Sequence, residues 1–371
     1  MSGVADPRWW RRSGPRAVAG AVLLDLAVSP VFAWDVFTGD LGRELGLGAS
    51  ALASVFSVGL ASFTAAVLLG GRAADSVAPR RLAVYVAGGC VVGLLGCAVA
   101  SSAVVLVLGF AVFAASTGAG YATAVRVAGT VAVRRGLAVG LVVSAYAGGT
   151  VVVAPVAAAL LDSVGRGGTF AVLAAVVGAL VLCAVPLVPG TVRAHAARPA
   201  PPQRVRGRTI PALWTVFGLG SAPGLAAFAN AGDLAGAAVA GLAVPLLSLG
   251  NFAGRLVAGP ASDRFGRPRA LHVNAGVLVL TCGLLATGQG EGTVTAALLV
   301  LGLQYGALSA LVPAATADAV PPESLGATFG VVFTGWGCAG LAAPVAAAVC
   351  ADRVGWPAAY LGFTGVAAMA G

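Results

Sequence analysis

Two charged residues stand inside long apolar stretches of this chain, where they could bind an ion. Arg255 lies eight residues before Asp263, roughly 12 Å along a helix, and Asp25 lies nine residues beyond Arg16, roughly 13 Å along another. A guanidinium at that depth in hydrocarbon costs about 2.5–3.5 kcal/mol, so it needs an anionic partner. Because a guanidinium can hold a carboxylate through two parallel hydrogen bonds, we predict that Arg255 binds a small anion. Asp25 would pair with Arg255 when the site is empty, or carry a proton.

Three aromatic side chains and one amide are expected at the same depth. Tyr146 lies eleven residues beyond Arg135, Trp336 lies eleven beyond Leu325, and the two are 190 positions apart. Tyr305 and the adjacent Gln304 fall in the middle of another apolar stretch. Glycines flank Tyr146 and Trp336 and would leave room for a ligand. Aromatic walls around one cation exclude water and strengthen its field, which suits a small carboxylate.

The composition indicates that these residues are carried by membrane helices. The chain is 59% hydrophobic and only 9% charged, with a mean hydropathy of +0.96, whereas soluble domains have about 25% charged residues. A helix needs about 20 apolar residues to cross the hydrocarbon. We predict an all-α membrane protein with twelve transmembrane helices, the last of which has 15 residues and reads as truncated. The spans lie near 17–37, 50–70, 82–100, 103–125, 136–161, 168–189, 210–230, 236–260, 270–289, 293–315, 325–350 and 357–371.

The chain is a tandem duplication. The sequence APVAAA occurs at 154–159 and at 343–348, and Gly136 and Gly140 recur as Gly326 and Gly330. Two similar halves in one orientation predict two six-helix bundles related by a pseudo-two-fold axis along the membrane normal, with a path between them. The predicted parts are a cytoplasmic N-terminal segment at 1–16, an N-terminal bundle at 17–189, a cytoplasmic linker at 190–209 and a C-terminal bundle at 210–371.

The positive charges set the orientation. All 22 are arginines; 18 fall in the termini and loops of one predicted face and three on the other. Positive residues stay on the cytoplasmic side, so both termini are predicted to be cytoplasmic, in a multi-pass protein of the inner or plasma membrane. The charges form no patch with interleaved aromatics, so no nucleic-acid partner is expected. A monomer in the lipid bilayer is expected.

The sequence contains no pattern typical of a metal site or of an enzyme active site. The six cysteines fall in apolar spans without a C-x-x-C pair, and we interpret them as small buried side chains. His195 and His272 have no neighbouring partners of the kind that catalysis requires. We therefore expect no metal, no cofactor and no enzymatic activity.

A loop motif recurs at matched places in the two halves. The second half has Gly259-x-x-x-Asp263-Arg264-x-Gly266-Arg267, and the first half has a degraded copy with Gly71, Asp75, Arg80 and Arg81. A glycine lets a neighbouring helix approach closely, and a second glycine permits a tight turn. Asp263 is expected where an adjacent helix presents its N-terminus, because the partial positive charge there favours a carboxylate.

On these motifs the chain resembles the major facilitator superfamily over essentially its whole length. The resemblance implies transport of a small solute by rocking of two six-helix halves about a central site. It also implies that the repeated loop is a latch holding one gate shut. Asp75 and Asp263 would then control conformation without touching the substrate.

Two local patterns resemble the oxalate/formate antiporter and monocarboxylate porter branch of that family. These are Asn251-x-x-Gly254-Arg255-x-x-x-Gly259 and Phe32-Ala-Trp34-Asp-Val-Phe37. The resemblance implies that Arg255 binds the anion and adds Asn251 and Trp34 to the site. Trp336 stands where oxalate carriers have a lysine, so a dianion would be under-neutralised and a monoanion is favoured. Asn251 stands where animal-type porters have an aspartate.

The prediction is a secondary active transporter that moves a small organic anion, most simply a monocarboxylate, by alternating access. A proton or a counter-anion would be the coupled partner. One alternative is an efflux carrier of a drug or a neutral metabolite, in which Arg255 is locked to Asp25. A receptor or regulatory subunit that has lost transport is the other.

Overall fold

The computed structural model describes residues 13–131, 134–191, 208–235, 240–287 and 290–370, and this part of the chain is helical and contains no strand. Most of the predicted N-terminal segment, and residues 192–207 of the predicted linker with His195, lie outside the described residues. Ten described helices are long and apolar enough to cross a membrane. The prediction of an all-α membrane protein is confirmed.

The described residues form thirteen α-helices, whose bounds lie within a few residues of most predicted spans. In the first half they are α1 (Ser13–Ala27), α2 (Asp35–Leu45), α3 (Ala49–Ser76), α4 (Pro79–Ala98), α5 (Ala103–Gly129) and α6 (Arg135–Ala184). In the second half they are α7 (Thr209–Ala229), α8 (Ala231–Ala235), α9 (Ala240–Phe265), α10 (Arg267–Ala286), α11 (Glu291–Ala319), α12 (Leu325–Val354) and α13 (Trp356–Ala370).

The first predicted span, 17–37, is not one continuous helix. α1 ends at Ala27, a 3-10 turn occupies Ser29–Ala33, and α2 begins at Asp35. The cause is Pro30, which has no N–H to donate and disfavours the helical conformation of the residue before it.

Two spans are joined without a loop at each of two related glycines. α6 runs for 50 residues, long enough for two crossings, and is kinked at Gly165, which has φ 69° and ψ 178°. Gly355, with φ 88°, is the single residue between α12 and α13. These two glycines are 190 positions apart, so the duplication preserved the same tight turn. Among the described residues, the ten candidate spans give the twelve predicted crossings when α6 is counted twice and α13 is included.

Contacts divide the chain into two compact units, each of which includes a short segment from the other half of the sequence. Unit 1 consists of residues 1–133, 148–198 and 322–327, and unit 2 of 134–147, 199–321 and 328–371. The first turns of α6 therefore pack within unit 2, and the first turn of α12 packs within unit 1. The predicted bundle boundaries at 189 and 210 stay a prediction.

In unit 1, α5 packs between α3 and α4. Its Phe110 ring lies 4.4 Å from the ring of Trp34, centroid to centroid, and this contact buries Trp34. Gly118 of α5 meets the backbone of α3, where an added Cβ would lie 2.4 Å from the Phe63 carbonyl oxygen.

In unit 2, α9 and α11 pack backbone to backbone through glycines. A Cβ at Gly254 would lie 2.0 Å from the Leu303 carbonyl oxygen, and a Cβ at Gly306 would lie 2.0 Å from that of Asn251. Gly250 and Gly302 repeat the contact one turn away. Membrane helices associate through such small residues, which let the backbones touch. This contact fixes the relative register of Arg255 on α9 and Tyr305 on α11.

Candidate functional site

Arg255 is a buried guanidinium held by neutral acceptors. Only 8% of the residue is exposed. Its Nε donates to Oδ1 of Asn251 at 2.9 Å, and Nη1 donates to the carbonyl of Val143 on α6 at 2.7 Å. None of the ion pairs formed by the described residues includes Arg255. Nη2 donates to nothing in the described part of the chain, so one edge of the fork is available to a carboxylate.

Tyr305 and Trp336 form a hydrogen-bonded aromatic pair in the same unit. Trp336 Nε1 donates to the Tyr305 hydroxyl oxygen at 2.9 Å, and both residues are 5% exposed. Since the phenol accepts this bond, its own proton remains for donation to another group. Tyr305 lies on α11, which packs backbone to backbone against α9, the helix that carries Arg255. The pair therefore supplies a second donor on the helix that packs against α9.

A cluster of aromatic rings supports Trp336 from behind. Its ring centroid lies 4.9 Å from that of Phe333, which in turn contacts Phe217 of α7 at 5.8 Å. Phe228 of α7 lies 5.8 Å from Tyr305. These contacts leave the indole and the phenol little freedom to turn, so their hydrogen bond is held in place by packing.

Gln304 belongs to a different buried cluster. It is 1% exposed, and its Nε2 donates to Oδ1 of Asn274 on α10 at 2.9 Å and to the Gly220 carbonyl on α7 at 3.3 Å. Asn274 returns a bond to the Gln304 carbonyl at 2.9 Å. The amide therefore ties three helices together, and its role in binding substrate stays a prediction. Asn274 was missed, although an asparagine inside an apolar span was a visible signal.

The other predicted site residues are also buried. Tyr146 is 6% exposed and belongs to unit 2, whereas Trp34 and Asp25 are 3% and 0% exposed and belong to unit 1. The pairing of Asp25 with Arg255 stays a prediction.

The expectation that the flanking glycines leave room for a ligand is wrong at two of them. A Cβ at Gly149 would lie 2.2 Å from Ser29 Oγ, and one at Gly335 would lie 2.5 Å from the Trp214 carbonyl oxygen. Neighbouring helices already occupy the space beside both glycines. These glycines serve close packing of helices instead.

Asp75 anchors the first turn of α12 in unit 1. Its Oδ1 and Oδ2 accept from the backbone N–H groups of Gly326 and Ala327 at 2.9 and 2.7 Å, and Arg126 Nε donates to Oδ1 at 2.8 Å. A Cβ at Gly71 would lie 2.1 Å from the Gly326 carbonyl oxygen, so only glycine allows this approach. The first N–H groups of a helix have no partner inside it, and a carboxylate satisfies them and complements the helix dipole. We call this set the Asp75 clamp.

Asp263 makes the equivalent contacts in unit 2. It accepts from the backbone N–H groups of Gly136 and Leu137, in the first turn of α6, at 2.9 and 3.0 Å. A Cβ at Gly259 would lie 2.2 Å from the Gly136 carbonyl oxygen. The expected position of Asp263 at a helix N-terminus is thus observed. We call this set, with Arg267, the Asp263 clamp.

The two clamps are neutralised by different arginines. In the Asp75 clamp the arginine is Arg126, which is 5% exposed. In the Asp263 clamp Arg267 Nη2 donates to Asp263 at 2.6 Å, its Nη1 to Ser262, and its Nε to Asp318 at 2.8 Å. Arg135 Nη1 also donates to Asp318, at 2.5 Å. Asp318 and Arg126 were missed, although Asp318 is one of few acidic residues on the arginine-rich face.

The remaining loop residues do not contact the two carboxylates through any bond found among the described residues. Arg80 donates to the carbonyls of Val185 and Pro186, at 3.1 and 3.3 Å, and so anchors the chain just after α6. Arg81 is exposed, and Arg264 lies 5.5 Å above the Phe265 ring. Gly266 precedes α10 with φ 92°, as expected for the tight turn.

The chain matches a family of known proteins twice. The sequence model described as Major Facilitator Superfamily matches residues 18–232 and again 210–371. An uncharacterised MFS-type transporter, YhjX, of Escherichia coli K12 is 24% identical over 361 residues, covering 89% of this chain and 87% of the relative. An uncharacterised 38 kDa protein in the 23S RNA operon of Thermoproteus tenax is 26% identical over 329 residues, covering 86% and 84%.

Solved structures show the same fold. The human organic anion transporter MFSD10 (TETRAN) superposes with a TM-score of 0.75 at 15% identity, covering 96% of this chain and 98% of that one. The proton:xylose symporter XylE has a TM-score of 0.75 at 13% identity, covering 98% and 95%. Identities this low establish the fold alone.

Proposed function

We propose that this chain, which belongs to the Major Facilitator Superfamily and is a multi-pass membrane transporter, carries a small organic anion, most simply a monocarboxylate. The observation that carries the proposal is Arg255, a buried guanidinium whose bonds within the described residues all go to neutral acceptors. A buried charge is retained only where a partner compensates its desolvation. A substrate carboxylate on the unused edge of the fork would be that partner.

The Tyr305–Trp336 pair supports a monoanion rather than a dianion. It supplies a neutral hydroxyl donor and an apolar ring beside the single cation. One carboxylate would accept from Arg255 and from the Tyr305 hydroxyl, while an apolar tail would lie against the indole. A second carboxylate would find no second cation among these residues, and leaving it unpaired in an apolar site would cost several kcal/mol.

The two clamps support alternating access as the mechanism. Each fixes the first turn of a helix from one sequence half to the last turn of a helix from the other half: α12 to Asp75 of α3 and α6 to Asp263 of α9. We expect these bonds to form in one state of the transport cycle and to break in another. A carboxylate on helix N–H groups suits such a switch, because the bonds are strong but depend on geometry.

Three further features belong to the proposal and rest on sequence. The transporter would exchange its substrate for a counter-anion or couple it to a proton, with Asp25 as the candidate proton carrier. It would act as a monomer in the inner or plasma membrane. Both termini would be cytoplasmic, because the arginines concentrate on that face.

The test is uptake of labelled mono- and dicarboxylates into proteoliposomes at two pH values. We expect uptake of at least one monocarboxylate and its loss in Arg255→Gln. Arg72→Gln is the matched control, because Arg72 is exposed and forms no bond with another described residue. Elution of both variants as a single species on size-exclusion chromatography excludes misfolding as the cause.

Two results would count against an organic anion as the substrate. Undiminished monocarboxylate uptake in Arg255→Gln would remove Arg255 from the site. Transport of neutral or cationic compounds only, with Arg255→Gln unfolded and rescued by Asp25→Asn, would favour the efflux carrier with a structural Asp25–Arg255 pair.

A further inference from the structure

Two arginines from different helices meet just after the end of α6, in unit 1. Arg16 of α1 donates through Nη2 to the carbonyl of Pro186 at 2.8 Å. Arg80 of α4 donates through Nη2 to the same carbonyl at 3.3 Å and through Nε to that of Val185 at 3.1 Å. Because both Nη2 atoms bond to one oxygen, the distance between them cannot exceed about 6 Å. We call these two residues the Arg16–Arg80 pair.

Backbone contacts fix where the two guanidiniums lie. Gly20 of α1 packs against Leu187, and an added Cβ would lie 2.8 Å from the Leu187 Cβ. The guanidinium of Arg80 contacts Gly190, where a Cβ would lie 3.3 Å from Nη1. The backbone N–H of Arg80 donates to the Pro189 carbonyl at 3.1 Å. α1 and α4 therefore hold both cations at the same end of α6.

The described residues do not neutralise these two charges. None of their ion pairs includes either arginine, and the side-chain bonds of the pair go to neutral carbonyls. The carbonyl end of a helix carries roughly half a negative elementary charge, which compensates only part of two cations. A guanidinium has five N–H donors, so most of those in the pair remain for a ligand. An anion that bridges the pair would offset the repulsion between them.

Exposed apolar side chains lie one turn deeper in the membrane than the pair. Val84 is four residues beyond Arg80, on the same face of α4, and is 46% exposed. Leu182 of α6 precedes the two accepting carbonyls by one turn and is 54% exposed. α4 and α6 touch one further turn down, where a Cβ at Gly178 would lie 2.7 Å from Val91 Cγ2. The two cations therefore border an apolar surface that faces lipid.

We propose that the Arg16–Arg80 pair binds the phosphodiester of an anionic phospholipid in the leaflet at the arginine-rich face. The phosphate would accept from both guanidiniums, whose forks match its oxygens, and an acyl chain would lie along Val84 and Leu182. Basic sites between membrane helices suit such headgroups. A free phosphate would use the cations and leave the apolar surface uncovered, so the lipid is favoured. This site goes beyond the transport proposed above and does not depend on it.

The test is native mass spectrometry of the full chain, delipidated in detergent and titrated with phosphatidylglycerol or, separately, with phosphatidylcholine. We expect one phosphatidylglycerol to bind at a lower lipid concentration than any phosphatidylcholine. Arg16→Gln and Arg80→Gln should each raise the Kd for phosphatidylglycerol about fivefold, because an arginine near the membrane surface contributes about this much to the attraction of anionic lipid. The Kd for phosphatidylcholine should not change.

Two further variants separate charge from structure. Arg80→Lys keeps the charge but loses the fork that holds two carbonyls, so the Kd for phosphatidylglycerol should stay within about twofold if charge is the cause. Arg269→Gln removes an exposed arginine of α10 that forms no bond with another described residue, and should leave this Kd unchanged. Equal Kd values for the two lipids would overturn the proposal. So would a fivefold rise in either of these control variants, or displacement of the lipid by an equal concentration of glycerol phosphate.

Discussion

At the scale of single residues, the charge balance around Arg255 depends on one neutral side chain. Asn251 lies one turn before Arg255 and accepts its Nε. A carboxylate of the same size at this position would neutralise the guanidinium within the protein. The charge of residue 251 therefore decides whether the fork is left for a substrate or is satisfied beforehand.

Asn251→Asp should reduce anion uptake at neutral pH, because the new carboxylate competes with the substrate for Arg255. The guanidinium beside it keeps such a carboxylate ionised well below neutral pH, so the competition should persist under mildly acidic conditions. Concentration-dependent uptake at neutral pH measures this, with the neutral Asn251→Ser as control. Equal inhibition by Asn251→Ser would show that charge is not the cause.

Tyr305→Phe should raise the KM for a monocarboxylate by about 10–100-fold, because a hydrogen bond to a charged group is worth ~1.5–3 kcal/mol. Trp336→Phe removes the bond that orients the phenol but keeps an aromatic ring for the apolar tail, so a smaller rise is expected. Concentration-dependent uptake in proteoliposomes gives both values. An unchanged KM in both variants would show that the substrate binds elsewhere.

At the scale of helices, glycine contacts determine where segments can touch. Gly259→Ala should lower the thermal unfolding temperature, because the added Cβ would be 2.2 Å from a backbone oxygen. Overpacking costs about 1–3 kcal/mol, more than the gain of about 1 kcal/mol from helix propensity. Gly276→Ala in α10, with nothing within 4 Å of its Cβ, is the matched control and should be neutral or stabilising.

The two clamps should differ in what their aspartates contribute to stability. Asp75→Asn leaves Arg126 buried without its carboxylate, which costs about 3–5 kcal/mol. Asp263→Asn leaves Arg267 still paired with Asp318, so a smaller loss is expected. Thermal unfolding in detergent compares them, and Asp75→Asn with Arg126→Gln should recover part of the loss. A larger loss of stability in Asp263→Asn than in Asp75→Asn would show that Asp263 contributes more to stability than Asp75.

Sequence patterns predicted the helices and the aspartate of each clamp, because hydropathy and the spacing of Gly, Asp and Arg are local properties. They predicted that Asp263 would meet a helix N-terminus. They did not predict that Arg126 would meet Asp75, since the pair is 51 positions apart and depends on how α5 packs on α3.

The sequence also did not show that two adjacent residues on one helix have different surroundings. Gln304 and Tyr305 point about 100° apart, so Gln304 lies in the cluster with Asn274 while Tyr305 meets Trp336. Similarly, hydropathy could not show that Ser29-Pro30 breaks the first span. Its residues are apolar enough to continue a helix, and the break arises from backbone chemistry.

At the scale of the whole molecule, the duplication is preserved in backbone geometry more than in side chains. Both halves place an aspartate on the first turn of a helix and a positive-φ glycine between two crossings. The neutralising arginines differ, and so do the residues at the related positions Tyr146 and Trp336. The two halves thus share an architecture and differ in their interior chemistry.

The orientation in the membrane can be tested independently of transport. Alkaline phosphatase inserted after Ser101, on the arginine-poor face, should be active, whereas insertion after Arg198 should be inactive. A fluorescent protein should give the opposite pattern at the same two positions. The reverse result would mean that the arginine-rich face is extracellular, against the expectation from charge.

The loopless crossings at Gly165 and Gly355 also affect how the molecule meets its surroundings. At both places the polypeptide returns into the membrane within a single residue, and Arg166, the trypsin site next to Gly165, is held by Glu44 and by the carbonyls of Cys97 and Ala100. A protease added to this face of the protein would find no extended strand to cleave at Gly165. Antibodies and toxins would likewise have almost no epitope there.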